Sequence, residues 1–155
     1  SVGMFEHVGK KFYKVFFESM SKLLKEDGIF LLHTIGVVDK PTPPNKFINR
    51  RIFPGGVCPS FSQIIEPIEK TGLIVADTET LIRHYDKTLE SWLERFLAKK
   101  NLVKDLFDEK FVKMWEFYLA SCAAAFRYRD LAVFQLQIVK NFQSAHSTRD
   151  YIYNY

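Results

Sequence analysis

The sequence predicts an incomplete α/β unit, three strands with helical insertions, in the order helix, strand, helices, strand, helices, strand. Three observations carry that reading. The run IFLL at 29–32 is apolar without a break, as in a strand buried on both faces of a sheet. In residues 132–139, Ala132, Phe134, Leu136 and Ile138 alternate with Val133, Gln135, Gln137 and Val139, the period-two pattern of a strand with one more polar face. Between these segments lie long stretches whose apolar residues recur at helical spacing.

In residues 10–24, Phe12, Val15, Phe16, Leu23 and Leu24 recur at helical spacing and Gly28 follows as a stop, which predicts an amphipathic helix. The strand over 29–35 is expected to be central and parallel. Residues 36–59 hold five of the six prolines, and Pro41, Pro43 and Pro44 bias their predecessors away from helix, so this segment reads as loop with a helical turn near 47–52. Ser60 offers an N-cap for a helix toward Lys70, kinked at Pro67 and closed by Thr71 and Gly72. Residues 73–81 mix β-branched and apolar side chains and read as a second strand. In 85–99 one stripe joins Leu89, Trp92, Leu93, Phe96 and Leu97; in 108–127 it joins Phe111, Trp115, Tyr118, Leu119, Cys122 and Phe126. Both helices are expected to pack a core. The polar stretch from Asn141 is expected to be loose, giving one domain over 1–140 and a tail over 141–155.

A chain of 155 residues, 47% hydrophobic and 26% charged, can bury one sizeable core. Its 15 Phe and 7 Tyr indicate a large core or an apolar cavity. Lys and Arg outnumber Asp and Glu by 22 to 18, spread apart from the pairs Lys10-Lys11, Arg50-Arg51 and Lys99-Lys100. That mild excess favours anionic membrane surfaces and lacks the continuous basic stripe of a nucleic-acid binder. Cys58 and Cys122 stand far apart without ligand spacing, which indicates neither a zinc site nor a disulfide framework and fits a reducing cytoplasm. No apolar run approaches the roughly 18 residues of a membrane span. No Gly-x-Gly-x-x-Gly turn follows a strand, so the sequence shows no dinucleotide-type cradle. The chain enters a motif at its first residue, which reads as a piece of a longer protein.

Three polar residues invite a functional reading. His33 stands near the C-terminal end of a buried strand, the usual place for ligands in open α/β sheets. Glu6 opens a helix, where it could equally serve the helix dipole. Tyr85 opens an amphipathic helix and by itself would pass for core.

The blocks SVGMFEHVG (1–9), GIFLLHTIG (28–36), IFPGG (52–56), HYDKTLESW (84–92) followed by RFL (95–97), and YLASCAAAFR (118–127) stand in order along the chain. Together, from residue 1 to about 140, they resemble the cyclopropane-fatty-acyl-phospholipid synthases and the related mycolic acid cyclopropane synthases. The resemblance implies the C-terminal part of a methyltransferase (Rossmann-like) fold that uses S-adenosylmethionine (SAM). It would comprise the last three of seven strands, the final one antiparallel and inserted beside the fifth.

The reaction implied is methylene transfer from SAM across a cis double bond of a phospholipid acyl chain, with a bound bicarbonate as base. Mapped onto this sequence, Glu6 would accept the bicarbonate proton, His33 and the Tyr85 hydroxyl would donate to its oxygens, and the Ile35 amide would add a donor. Cys122 matches a family cysteine that is a candidate nucleophile, although its apolar stripe favours packing. Val2 and His7 would touch the adenosyl group, and the 52–56 loop would shape the acyl channel. Further expectations are a cytoplasmic protein held peripherally at the inner membrane, no activity in these residues alone, and self-association across a bared edge of the first strand. Two alternatives stay open: a non-enzymatic lipid-binding module of the same fold, or a relative that stops at a methylated product.

Overall fold

The computed structural model describes residues 1–153. Strand β1 (Ile29–Val37) pairs antiparallel with β3 (Leu131–Val139), and β3 pairs antiparallel with β2 (Ile74–Leu81), giving the order β1-β3-β2. β1 and β2 therefore run parallel with the last strand inserted between them. Register is continuous from Ile29 opposite Val139 to Val37 opposite Leu131. On the other side the β2–β3 register shifts between Val75 and Asp77.

Alternation along β3 divides the interior into two cores. Ala132, Phe134, Leu136 and Ile138 face Phe5 of α1 (Phe5–Val8), Tyr13, Phe16 and Phe17 of α2 (Tyr13–Leu23), and Ile64 and Ile68 of α4 (Phe61–Glu69). Val133 faces the opposite way. With Ile35 and Leu81 it packs against α5 (His84–Ala98) and α7 (Glu109–Tyr128), and α3 (Lys46–Arg51) closes that core with Phe47 and Ile48. Each large apolar side chain removed from water contributes about 1.5–3 kcal/mol.

Local sequence explains the boundaries. Asn45 caps α3 by accepting from the Phe47 and Ile48 amides. Ser60 and Gln63 form a capping box on α4, which runs through Pro67 and ends two residues later. Asp108 caps α7, accepting from the Phe111 amide at 2.6 Å. Gly36 is required where it stands: a Cβ there would meet the Phe134 ring and the Pro59 carbonyl oxygen, each at 2.5 Å.

Four expectations are corrected. The first amphipathic helix is broken into a 3-10 turn (Lys10–Phe12) and α2, and its inward face is Tyr13, Phe16 and Phe17, while Phe12 and Val15 are exposed. A short helix, α6 (Lys100–Leu106), separates α5 from α7. The tail is docked. Arg149 Nε and the Tyr151 hydroxyl donate to Asp77 Oδ2 at 2.9 and 2.5 Å, and the Gln137 amide donates to Tyr151 at 2.7 Å. These bonds hold residues 142–152 against the polar face of the sheet, around a small cavity lined by Gln135, Gln137, Glu79 and Asp77.

The fourth correction concerns the outer edge of β1, which is not bare from Leu31 to Val37. Residues 1–3 run parallel to it: the Ser1 amine donates to Leu31 O at 2.8 Å, His33 N to Ser1 O at 2.8 Å, and Gly3 N to His33 O at 3.2 Å. Further along, Ile35 N donates to Glu6 and Val37 N to the Pro59 carbonyl. The chain itself thus satisfies the groups whose exposure would drive edge-to-edge association.

Candidate active site

The site lies where the C-terminal ends of β1 and β2 meet the helical insertion, the region in which open α/β sheets bind ligands. Gly9, with φ +80°, ends α1 and allows the chain to turn into the following 3-10 helix, which sets Glu6 over the edge of β1. Glu6 Oε1 accepts the Ile35 amide at 2.6 Å. Its second oxygen, Oε2, is buried without a hydrogen-bond partner among the described residues. An unpartnered buried carboxylate oxygen is costly, and it is suited to a ligand that brings a hydroxyl or N–H donor.

The aromatic and thiol groups around it are held protonated. Burial, reinforced by the Glu6 charge, raises the Tyr85 hydroxyl above its usual range. Burial pushes Tyr13 up to about 12, with Cys58 and Glu6 adding to the effect. Cys58, given no place in the site by the sequence reading, goes up to about 12 through burial and the Glu6 charge. Tyr118 rises to about 12 for want of solvent, with Cys122 and Tyr85 as lesser causes. Glu6 bonds to the Ile35 amide, and Ile35 shares one apolar cluster with Tyr85, Tyr118 and Cys122, whereas Tyr13 packs in the core on the other face of the sheet.

Cys122 packs among the residues of α5 and α7, and burial raises its thiol to about 11, partly offset by a hydrogen bond with Ser121. A thiol so held is a poor nucleophile. Tyr85 is fixed against Phe126, with ring centroids 5.2 Å apart, and edge-on to Trp92 at 5.8 Å. The residue after it, Asp86, is 7% exposed and makes a bidentate ion pair with Arg127 at 2.8 and 2.9 Å, while Glu90 also engages the guanidinium. This pair ties the start of α5 to the end of α7. Its signal in the sequence was a carboxylate immediately beside the candidate tyrosine.

His33 lies on the same face of β1 as Ile35, two residues and about 7 Å along the strand. Its Nδ1 meets the Gln135 amide nitrogen at 3.2 Å. With that N–H donating, Nδ1 accepts and Nε2 carries the ring proton, leaving a donor for a ligand. Val2 bridges to His33 through the backbone and is 72% exposed, and His7 is exposed with its ring edge toward Phe53, centroids 5.6 Å apart. Glu6 and Ile35 are therefore joined by a hydrogen bond, Ile35 and Tyr85 share one apolar cluster, and His33 lies two residues along the same strand face, while Val2 and His7 are exposed.

The fold matches solved structures of known type. It superposes on the cyclopropane synthase MmaA2 from Mycobacterium tuberculosis with a TM-score of 0.83 and 32% identity, covering 89% of this chain and 53% of that one. It superposes on the mycolic acid cyclopropane synthase CmaA1 complexed with SAH and CTAB with a TM-score of 0.81 and 34% identity, again over 89% and 53%. The class is thus the α/β fold of the SAM-dependent methyltransferases.

Residues 1–136 match the mycolic acid cyclopropane synthetase family, and the chain belongs to it. The cyclopropane-fatty-acyl-phospholipid synthase of Escherichia coli (strain K12) is 43% identical over 136 residues, which are 88% of this chain and 35% of that protein. A probable fatty acid methyltransferase of Pseudomonas putida is 34% identical, over 94% of this chain and 38% of that protein. The chain thus spans between a third and about half of the length of these relatives.

Proposed function

We propose that this chain is the C-terminal catalytic part of an enzyme that adds a methylene carbon from SAM across a cis double bond of a phospholipid acyl chain, forming a cyclopropane ring with bicarbonate as base. The observation that carries the proposal is the buried, unpartnered Glu6 Oε2 beside a tyrosine held protonated. The identity to the E. coli synthase supports the choice of substrate.

When bound, SAM supplies an electrophilic methyl group and bicarbonate a proton-accepting oxygen. The residues here do the holding. Glu6 Oε2 accepts a hydroxyl proton, His33 Nε2–H and the Tyr85 hydroxyl donate to oxygens, and all three are neutral or acceptor groups of the kind a small oxyanion acid requires. The Ile35 amide serves as a ligand donor only by sharing its proton with Glu6 or by releasing it. Tyr118, Phe126 and the protonated Cys122 wall the neighbourhood with apolar surface and keep water from a reacting double bond. Val2 and His7 face the adenosyl side, and the remaining contacts to SAM come from residues outside this chain. The acyl substrate is met at the cytoplasmic face of an anionic membrane.

The test is incubation of a protein restored to the length of its relatives with methyl-labelled SAM and vesicles of unsaturated phospholipid. A cyclopropane acyl product is expected, and none from the 155 residues alone. No labelled lipid from the restored protein, or SAM turnover by the short chain, would overturn the respective claim. A methyl-branched product is the second reading, favoured by the similarity to the Pseudomonas putida methyltransferase along 94% of this chain.

A further inference from the structure

The segment joining α5 to α7 lies outside the site, and its surface is unusual. Leu102 and Leu106, one turn apart on α6, are 58% and 69% exposed, and Phe107 beside them is 62% exposed. Exposed leucines singly are ordinary, but three large exposed apolar side chains within six residues are a binding feature. Phe107 is held rigid by stacking on Phe111 with centroids 4.3 Å apart, and Phe111 stacks in turn on Trp115 at 5.7 Å.

Charge surrounds this tip in one sense. Residues 95–113 carry six basic side chains (Arg95, Lys99, Lys100, Lys104, Lys110 and Lys113) against three acidic ones. The acidic side chains are mostly engaged within the protein: Asp108 caps α7, and Glu109 pairs with Lys104 at 3.0 Å. Among the described residues Arg95, Lys99, Lys110 and Lys113 form no ion pair. Among the described residues no helix is long and apolar enough to cross a membrane.

We infer that α6 and the turn after it form a membrane-docking surface, with Leu102, Leu106 and Phe107 entering the headgroup region of an anionic phospholipid bilayer while the flanking lysines and Arg95 meet its phosphates. The inference rests on the lipid-directed reading above and names where the protein sits on its substrate phase. Charge selects this occupant. A second copy packed on the same segment would set basic residues against basic residues, whereas an anionic leaflet complements both the excess of cations in 95–113 and the exposed apolar side chains.

The test is co-sedimentation of this chain with vesicles of mixed phosphatidylglycerol and phosphatidylcholine, and with pure phosphatidylcholine. Binding to the mixed vesicles is expected, weakening with salt. Leu102→Ser with Leu106→Ser should lower partitioning on the order of tenfold through lost apolar burial. Lys99→Gln with Lys110→Gln should lower it by about fivefold for each lysine, on the mixed vesicles alone. Both pairs of substitutions lie at exposed positions, and an unchanged circular dichroism spectrum certifies the fold. The surface is overturned by wild-type protein that stays in the supernatant, by variants that bind as well as wild type, or by a dimer that the leucine pair disperses without any vesicle binding. None of these results bears on whether the restored enzyme transfers methyl groups to detergent-dispersed lipid, so the two readings fail separately.

Discussion

Ile35 donates its amide proton to Glu6 Oε1 at 2.6 Å, leaving the other carboxylate oxygen buried and unpartnered. Glu6→Gln keeps a carbonyl oxygen for the Ile35 amide but replaces the free acceptor with a donor. In the restored enzyme, kcat should fall by about 100-fold or more, with the urea midpoint nearly unchanged. Glu6→Ala should instead lower stability by about 1–3 kcal/mol, because it orphans the Ile35 amide. Equal activity in Glu6→Gln and wild type would remove Glu6 from the chemistry.

Alkali should loosen the site before it loosens the surface. In the folded chain Cys58 and Tyr13 are pushed up to about 12, Tyr118 to about 12 and Cys122 to about 11, from ordinary values near 9 for the thiols and 10 for the phenols. Groups that hold their protons more tightly when folded stabilise fully below their unfolded values, and the contribution is lost as pH rises through the folded ones. The urea midpoint should therefore decline from about pH 9 upward. Cys58→Ala with Cys122→Ala should move the onset of the decline toward pH 10, and unfolding curves across that range check it.

The tail should come off in acid. The Tyr151 hydroxyl, and after it Arg149, hold the Asp77 carboxyl below the usual carboxylate range. The docking is present at neutral pH and is lost as pH falls through that lowered value. Protection factors at residues 142–153, exchange being normalised to the intrinsic rate at each pH, should fall in acid, and at neutral pH in Asp77→Ala, with the strand amides still protected.

Asp86→Asn removes one charge from the pair that joins α5 to α7. The Asp86 side chain is 10% exposed and that of Arg127 34%, and Glu90 remains as a partner, so the loss is moderated to about 1–2 kcal/mol. Near-ultraviolet dichroism should report a shifted Tyr85 environment, since Tyr85 is held by Phe126 only one residue from Arg127.

Regular elements were legible because their signals are local. The alternation in β3, the Ser60 cap, and the stripe joining Leu89 to Phe96 each need only neighbouring residues. In the first helix the stripe was misread because Phe12 and Tyr13 are both aromatic, and only the break after Gly9 decides which one turns inward. The site was legible only through resemblance: nothing local ties Glu6 to Ile35 or His33 to Gln135, which lie 29 and 102 residues apart. Cys58 and Asp86 were read in the sequence without a part in the site for the same reason, since each acquires its partners through tertiary structure alone. The docking of the tail was hidden too, because its anchor is a single aspartate in a strand otherwise read for its apolar residues.

The carboxylate that finishes the margin of the sheet is the one positioned to greet a ligand. A ligand that bonds only to Oε2 leaves the Ile35 amide in place, whereas one that draws Glu6 aside must supply that amide with a replacement acceptor. The exchange of this one amide with solvent therefore records which way the pocket is filled.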